Sequence, residues 1–149
     1  MSSSSEEIIL HADASISRQA LRTLYTAVGW TAYTNDMDKL IAAIEGSRYV
    51  VTAIHGDAIV GLTRCVSDDA TICYIQDILV DPAHQRKGLG RRLVMNCLER
   101  FAHVRQKVLI TDDRPEQLAF YKSLGFHNTR ELTRYPLNCF VRFEGVDLE

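Results

Sequence analysis

The decisive stretch of this sequence is residues 78–93, ILVDPAHQRKGLGRRL. An apolar strand is followed by a short loop with two glycines and then by the start of an amphipathic helix. Because Gly88 and Gly90 have no side chain, backbone N–H groups of the loop can come close to an anion. The N-terminus of the helix adds unpaired N–H donors and the positive end of the helix dipole. The stretch therefore predicts a pyrophosphate-binding loop, with positive charge from Arg86, Lys87, Arg91 and Arg92.

Two better-known nucleotide loops are excluded by the same residues. No Gly-Lys-Ser or Gly-Lys-Thr follows, so this is not a Walker loop, and Val94 stands where the dinucleotide fingerprint needs its third glycine. The alternative is a plain strand-to-helix turn with solvated basic residues, which a lone Gly-x-Gly would favour. The spacing from Gln85 to the glycines and the strand before the loop favour anion binding instead.

Hydrophobic periodicity around this loop predicts the order β-α-α-β-β-β-α-β-α-β-β, an α+β fold. The sheet is expected to be mixed but mostly antiparallel, with six to seven strands, about four flanking helices and one parallel crossover in the middle. Caps at Ser15 or Ser17 and at Asn35 or Asp36 begin the first two helices. The expected strands are Glu7–His11, Tyr49–His55, Ala58–Val66, Thr71–Val80, Val108–Thr111, His127–Leu132 and Cys139–Phe143. The later helices are Gly88–Ala102 and one from Pro115 to the cap at Gly125.

Composition limits the remaining possibilities. A chain of 149 residues with 46% hydrophobic and 24% charged residues is typical of one globular domain, here residues 1–149, with residues 1–5 as a disordered tail. A net charge of −2 gives no electrostatic case for nucleic acid. No apolar run reaches the roughly 18 residues of a membrane span, and no secretory signal is visible. Four cysteines without metal-ligand spacing are expected to be buried thiols in a cytoplasmic protein that holds no metal, and the five histidines are expected to be unpaired.

A second motif identifies the resemblance. Residues 85–90, QRKGLG, are similar to the acetyl-CoA pyrophosphate loop of the GNAT acyltransferases, and residues 119–126, AFYKSLGF, resemble their closing signature. Residues 75–80 resemble the family's fourth strand. The resemblance implies the GNAT acyl-CoA N-acyltransferase fold, with acetyl-CoA as the acetyl donor. It also implies a V-shaped split between the fourth and fifth strands that holds the pantetheine arm.

The resemblance assigns roles to individual positions. Tyr121 matches the tyrosine that points its hydroxyl at the thioester sulfur, and the alternative is an aromatic core residue on a helix. The backbone of Leu79 and Val80 would pair with the pantetheine arm. Arg114 stands where many relatives have an asparagine and could reach a phosphate of CoA or be solvated. The expected acetyl-CoA-binding residues are Ile78, Leu79, Val80, Gln85, Arg86, Lys87, Gly88, Leu89, Gly90, Arg91, Arg114 and Tyr121.

Handling of the acceptor amine is assigned to Asp77. Alkylamines are mostly protonated at neutral pH, so a group must accept a proton or hold the ammonium. Gln76-Asp77 resembles the acidic pair of glucosamine-type acetyltransferases, with glutamine in place of the first acid. The alternative is a structural acid. Thr111, Asp112 and Asp113 could hold a proton-carrying water or simply begin a helix.

The acceptor itself is not identified by any motif. Trp30, Tyr33 and Tyr135 could wall its pocket. The first hypothesis is acetylation of a primary amine on a small molecule, by direct attack in a ternary complex. The alternatives are a protein lysine or N-terminal acetyltransferase and a non-catalytic acyl-CoA sensor. No nucleic acid or membrane partner is expected, and a homodimer is left open because dimers are common in the resembling family.

Overall fold

The structure is a computed structural model that describes residues 7–149, so the expected tail at residues 1–5 lies outside the described part of the chain. Apart from one extra helical turn after the first helix, the observed order of elements follows the predicted one through the last long helix. The strands are β1 (Ile8–Ala12), β2 (Tyr49–His55), β3 (Ala58–Ser67), β4 (Ile72–Val80) and β5 (Gln106–Val108). The helices are α1 (Arg18–Ala27), α2 (Thr31–Thr34), α3 (Met37–Glu45), α4 (Leu89–Arg100) and α5 (Pro115–Ser123).

The strands form one mixed sheet in the order β1-β2-β3-β4-β5. Each pair from β1 to β4 is antiparallel, while β4 and β5 are parallel and connected through α4. A parallel pair needs such a crossover because its strands begin at the same edge of the sheet. The predicted α+β class and the single parallel crossover are therefore confirmed.

The first helices begin where short polar side chains can cap them. The Ser17 hydroxyl accepts a hydrogen bond from the N–H of Ala20, and the Asp36 carboxylate accepts one from the N–H of Lys39. These bonds satisfy backbone donors that a helix leaves free in its first turn. Of the two caps that the sequence offered for each helix, the structure uses the second.

The interior is built on both faces of the sheet. On one face, α1 and α3 cover the central strands with a cluster that includes Leu24 and Leu40 and reaches Leu62 of β3 and Leu79 of β4. On the other face, α4 packs on β2, β3 and β4. Its buried residues Leu93, Val94 and Cys97 recur at helical spacing, as the sequence predicted.

The end of the chain differs from the prediction. The sheet of the described residues has five strands instead of six to seven, because neither of the last two expected strands forms. Within 127–132, the Asn128 carboxamide accepts a hydrogen bond from the N–H of Arg130 and caps a short 3-10 turn. Such a local bond competes with a strand ladder. Residues 139–143 are mostly apolar but find no partner strand among residues 7–149, and all of 133–149 is exposed.

Two smaller expectations also change. The structure has five helices instead of about four among the described residues, because Thr31–Thr34 adds one helical turn between α1 and α3. The fifth strand covers Gln106–Val108 and ends before Thr111. The described chain divides into two compact units, one ending at Ile110 and one formed by Thr111–Glu149. A single domain over residues 1–149 remains a prediction.

Candidate functional site

β4 is paired along the whole of one edge but along only part of the other. On the open side, β5 pairs with Ile72, Cys73 and Tyr74 alone. From Ile75 to Val80 this edge has no partner strand among residues 7–149. An unpaired strand edge can accept an extended ligand as if it were another strand. The partial pairing of β4 with β5 agrees with the opening that the resemblance implies between the two strands.

The sequence positions assigned to this edge differ in burial. The side chain of Leu79 is buried in the core cluster, while Ile78 and Val80 are half-buried. Leu79 thus anchors the strand, and only its backbone is available to a ligand. The two half-buried neighbours flank it along the open edge.

The loop after β4 is held in place by side chains of its own sequence. The Asp81 carboxylate accepts a hydrogen bond from the N–H of Ala83 at 2.9 Å. The Gln85 carboxamide donates to the carbonyl oxygen of Val80 at 3.0 Å. Gln85 therefore fixes the loop against the end of the strand, a local contact that the motif alone did not specify.

Two residues of the loop have left-handed backbone angles. Arg86 has φ of 64° and Gly88 has φ of 75°. A positive φ is costly for a residue with a side chain, so Arg86 holds a strained conformation beside the glycine. A Cβ built on Gly88 would meet no atom within 4 Å, so the space above this position is open.

Helix α4 begins directly after Gly88 and presents its N-terminus to the same loop. No side chain among residues 7–149 caps this end of the helix. The N–H of Arg92 donates a helical hydrogen bond to the carbonyl oxygen of Gly88. Leu89 is buried and fixes the first turn, and Gly90 follows it as the second helical residue. A helix N-terminus with open backbone donors is a favourable place for a phosphate group. The loop and the helix together have the features of a phosphate-binding site.

The basic residues of the loop divide into two groups. Arg86, Lys87 and Arg91 are exposed, as expected for side chains that meet a charged ligand. Arg92 is used structurally, because its guanidinium donates to the carbonyl oxygen of Ile8 in β1 at 3.0 Å.

Asp77 lies at the centre of a buried polar network. Its Oδ2 accepts hydrogen bonds from Nε of Arg64 at 2.5 Å and from the hydroxyl of Tyr25 at 2.8 Å. Its Oδ1 accepts one from the hydroxyl of Tyr33 at 2.9 Å. The carboxylate is 2% exposed and its ion-pair partner Arg64 is 7% exposed. Both charges are thus removed from water together, which is tolerated only when they are paired.

The network shifts the pKa values of its members. Burial raises the pKa of Tyr25, and the adjacent Asp77 charge raises it further, so this hydroxyl stays protonated. Burial by itself lowers the pKa of Arg64, but the hydrogen bond and charge of Asp77 outweigh this effect and raise it. Arg64 therefore remains a cation inside the protein.

A β-bulge places this network next to the open edge. Arg64 pairs with Asp77 and Cys65 pairs with Ile75, so Gln76 is the extra residue on β4. Gln76 is exposed, whereas its neighbour Asp77 is buried. Bulges of this kind redirect side chains and are common beside active sites.

Aromatic side chains line the outer part of the network. The ring of Tyr25 meets Trp30 at 5.9 Å and Tyr33 at 5.2 Å between centroids, both edge-on. Trp30 and Tyr33 are half-buried and lie 6.2 Å apart between ring centroids, and their role as a pocket wall stays a prediction. Tyr135 belongs to the second unit, where it is 71% exposed. Tyr25 and Arg64 were missed by sequence reasoning, although an arginine inside an apolar strand is a signal for a buried partner.

The second unit contains Tyr121 on α5. Burial raises the pKa of its hydroxyl to about 12. Its ring packs edge-on against Phe120 and Phe126, with centroids 4.9 Å and 6.0 Å away. The N–H of Phe126 bonds to the carbonyl oxygen of Tyr121, and Gly125 has φ of 91°, so the expected left-handed helix end is confirmed.

The remaining candidates in this unit are surface residues. Arg114 is the N-cap residue of α5 and lies 3.5 Å from Asp112 and 3.7 Å from Glu116. Asp113 is 3.5 Å from Arg130. Thr111 donates to the carbonyl oxygen of Asp112. None of these contacts distinguishes a ligand-binding role from a structural one.

Two expectations about single residues are wrong. The histidines are not all unpaired, because the rings of His55 and His84 lie 5.0 Å apart. His84 directly precedes the glycine loop, and its Nδ1 is buried without a hydrogen-bond partner among the described residues. Cys139 is exposed, whereas the other three cysteines are buried free thiols. Its segment forms no strand, so nothing covers it.

Comparison with known proteins assigns the chain to a family. The family model of the acetyltransferase (GNAT) domain matches residues 12–139. The chain belongs to the GNAT family. A GNAT family acetyltransferase from Streptococcus pneumoniae TIGR4 superposes with a TM-score of 0.79 at 28% identity, over 94% of this chain and 100% of the other. An acetyltransferase structure from Deinococcus radiodurans R1, at 18% identity and a TM-score of 0.73, covers 92% of this chain and 88% of its own and supports the fold.

Curated GNAT relatives carry different acceptor names. Histone acetyltransferase TAP1 of Glycine max is 29% identical over 81% of this chain and 56% of its own length. The ribosomal protein bS18 alanine N-acetyltransferase of Escherichia coli K12 is 32% identical over 66% of this chain and 70% of its own. The chain thus spans little more than half the length of the first of these. Their acceptors differ, so family membership does not identify the acceptor here.

Two further structural findings concern membranes and metal ions. Among residues 7–149, no helix combines the length and the apolar character needed to cross a bilayer. Within the same range, no cluster of three or more His, Cys, Asp or Glu side chains could hold a metal ion.

Proposed function

We propose that this GNAT chain transfers an acetyl group from acetyl-CoA to a primary amine, by direct attack in a ternary complex in the cytoplasm. The observation that carries the proposal is the combination of an open β4 edge with a glycine loop and an uncapped helix N-terminus directly after it. The edge fits the extended pantetheine arm and the loop fits the pyrophosphate. A non-catalytic sensor would share these features, but it would have no use for the tyrosine motif at residues 119–126.

In the proposed site, backbone groups of the open edge hold the pantetheine arm, and the loop binds the pyrophosphate. The backbone N–H groups of Gly88, Leu89 and Gly90 are the expected donors, with Arg86, Lys87 and Arg91 supplying charge. Gln85 supports the loop from the strand end. Arg114 is retained as a further phosphate contact.

The leaving group of the chemical step needs a hydrogen-bond donor. The amine nitrogen attacks the acetyl carbonyl carbon, the C–S bond breaks, and the sulfur leaves as a thiolate. Tyr121 has a pKa of about 12, so it would not surrender its proton to a thiolate whose acid has a pKa of roughly 8.5. Its proposed contribution is therefore a hydrogen bond to the developing negative charge on sulfur.

The contacts of Asp77 support an orienting role for its carboxylate. Arg64 already neutralises the negative charge, and both oxygens carry hydrogen bonds. Accepting a further proton would leave Arg64 as an unpaired buried cation, which is costly. Within the proposal, Asp77 acts by fixing Tyr33 and Arg64 on the acceptor side of β4.

The acceptor is proposed to be an amine on a small molecule. Trp30 and Tyr33 give an aromatic wall beside the network. A protein amine is the second candidate, favoured by the names of the histone and ribosomal-protein relatives.

A homodimer is part of the proposal as well. In segment 133–149 every residue is exposed, including Tyr135, Leu137, Phe140, Val141, Phe143, Val146 and Leu148. Exposed apolar side chains in such density mark a surface that another molecule covers.

The test is a thiol-release assay with acetyl-CoA against a panel of small amines, peptides with a free α-amine and lysine peptides. Release that depends on both substrates supports the transfer. Acetyl-CoA binding without release for any amine would leave the sensor as the correct function, and release with lysine peptides alone would replace the small-molecule acceptor.

A further inference from the structure

The Tyr33 hydroxyl is the outermost group of the buried network. It donates to Oδ1 of Asp77 at 2.9 Å, so the direction of its own proton is fixed. Its oxygen then has two lone pairs left as acceptors. These face Nη2 of Arg64 at 3.5 Å and Nε2 of Gln76 at 3.4 Å, and both contacts are long for hydrogen bonds.

The uncharged partner of the two, the Gln76 carboxamide, is replaceable. Gln76 is the exposed bulge residue, so its carboxamide can return to water without loss. Tyr33 is half-buried, whereas Tyr25, which donates to the same carboxylate, is fully buried. Of the two tyrosine hydroxyls on Asp77, only that of Tyr33 can therefore meet a molecule from outside. Its partner Asp77 directly precedes Ile78 on β4, the strand whose open edge begins at Ile75.

The charges around this oxygen decide which amine it can take. The titratable groups that face it are Asp77 on β4, Arg64 on β3 and Tyr25 on α1. The Asp77 carboxylate and the Arg64 guanidinium lie 2.9 Å and 3.5 Å from this oxygen, and their charges sum to zero. An ammonium ion would therefore find no unpaired anion here, whereas an uncharged amine can donate an N–H to the Tyr33 oxygen.

We propose that the Tyr33 hydroxyl, aligned by Asp77, receives the acceptor amine in its uncharged form in place of the Gln76 carboxamide. The inference rests on the proposed acetyl transfer and narrows its acceptor to amines of low pKa. An α-amine has a pKa of about 7.7–8.0 and a lysine side chain about 10.4, so at pH 7 the uncharged fraction differs on the order of several hundredfold. The ammonium proton is lost to solvent before binding. The second proton, which leaves the nitrogen as the N–C bond forms, balances the charge of the departing CoA thiolate, so no protein group has to keep either proton.

The first experiment compares two acceptor probes, alanine amide with a free α-amine and N-acetyl-lysine amide with a free ε-amine. At pH 7 we expect the α-amine to be preferred by at least about tenfold in kcat/KM, because more of it is uncharged. With rising pH, kcat/KM should level off near pH 8 for the α-amine but climb through pH 9 for the ε-amine. If both probes level off at the same pH, a protein group accepts the proton and the inference is overturned.

The second experiment tests the residues. Tyr33→Phe should raise the KM of alanine amide about tenfold, the upper range for one lost hydrogen bond. The stabilisation of the protein by acetyl-CoA should stay unchanged. Tyr49→Phe is the control, because Tyr49 is a tyrosine away from this network whose hydroxyl donates to Asn96 on α4 at 2.5 Å. It should leave the KM unaltered.

Gln76→Ala gives a test that does not depend on the buried network. Gln76 is exposed, so the variant should fold normally, and it should lower the acceptor KM by uncovering the Tyr33 oxygen. An unchanged acceptor KM in both Tyr33→Phe and Gln76→Ala would overturn the inference while acetyl transfer stands. Absence of thiol release with every amine would instead overturn the proposed function, and the inference with it.

Discussion

Nε of Arg64 lies 2.5 Å from Oδ2 of Asp77, with both side chains almost completely removed from solvent. The two residues are directly paired across β3 and β4, at the position where the register shifts. The ion pair thus connects the bulge in β4 to the rigid centre of the sheet. The bulge redirects Gln76 and lies within the open edge that runs from Ile75 to Val80. The geometry of this edge therefore depends on the ion pair.

Loss of one of these two charges should therefore destabilise the folded protein. Asp77→Asn keeps the size of the side chain but leaves Arg64 as an unpaired buried cation. We expect the free energy of unfolding to fall by about 3–5 kcal/mol, as measured by urea denaturation. Acetyl-CoA affinity should stay near normal in the folded fraction, because the loop is untouched.

The matched control for this variant is Asp38→Asn, which breaks an ion pair of similar length. Arg18 and Asp38 are 2.6 Å apart, but both are exposed, with 86% of the Asp38 side chain accessible. Exposed pairs contribute little to stability. Equal losses in the two variants would show that burial of the Asp77 pair does not govern its strength.

The glycine loop predicts a selective effect on binding. Gly88→Val should abolish the rise in melting temperature caused by acetyl-CoA, because its side chain enters the open space above the loop. Gly29→Val is the control, since Gly29 has a similar φ of 79° and equally open surroundings. Both variants should lose some stability from the left-handed backbone. If Gly88→Val bound acetyl-CoA as tightly as the wild type, the loop would not be the binding site.

Removal of one oxygen tests the role of Tyr121. Tyr121→Phe keeps the ring that packs on Phe120 and Phe126 and should lower kcat by about 10²-fold or more, with acetyl-CoA affinity little changed. Steady-state kinetics beside a thermal melt would separate the two contributions. Full activity in a normally folded variant would remove Tyr121 from the mechanism.

The pKa of Tyr121 also predicts the pH dependence. Burial raises this pKa to about 12, so the protonated, hydrogen-bond-donating form persists to higher pH than in a free tyrosine. Any stabilisation from the raised pKa is complete below pH of about 10 and is lost as the pH rises towards the folded value. We expect no alkaline loss of kcat between pH 7 and 9.5 in the wild type. A fall of kcat in that range that disappears in Tyr121→Phe would contradict a Tyr121 pKa of about 12.

The exposed apolar segment at residues 133–149 predicts self-association. Phe140 is 91% exposed and makes an informative substitution. Sedimentation should show a wild-type dimer that Phe140→Asp shifts towards monomer, while Val66→Asp, at an exposed position of β3, should leave it unchanged. A monomeric wild type at micromolar concentration would refute the dimer.

The sequence by itself determined the parts of the molecule that depend on local chemistry. The strand, glycine loop and helix of residues 78–93 were predictable because each element has its own period and the loop needs residues without side chains. The left-handed end at Gly125 was predictable for the same reason. Only the tertiary structure decided the environment of Asp77, because Arg64, Tyr25 and Tyr33 are brought to it from three other elements.

The failed expectations have the same origin. Residues 139–143 are rich in apolar and aromatic side chains like a strand, but a strand exists only where a partner offers its backbone, and no sequence pattern contains that information. His55 and His84 lie far apart in the chain and meet through the packing around the loop. Local preference is written in neighbouring residues, whereas burial, pairing and charge compensation arise between residues that only folding brings together.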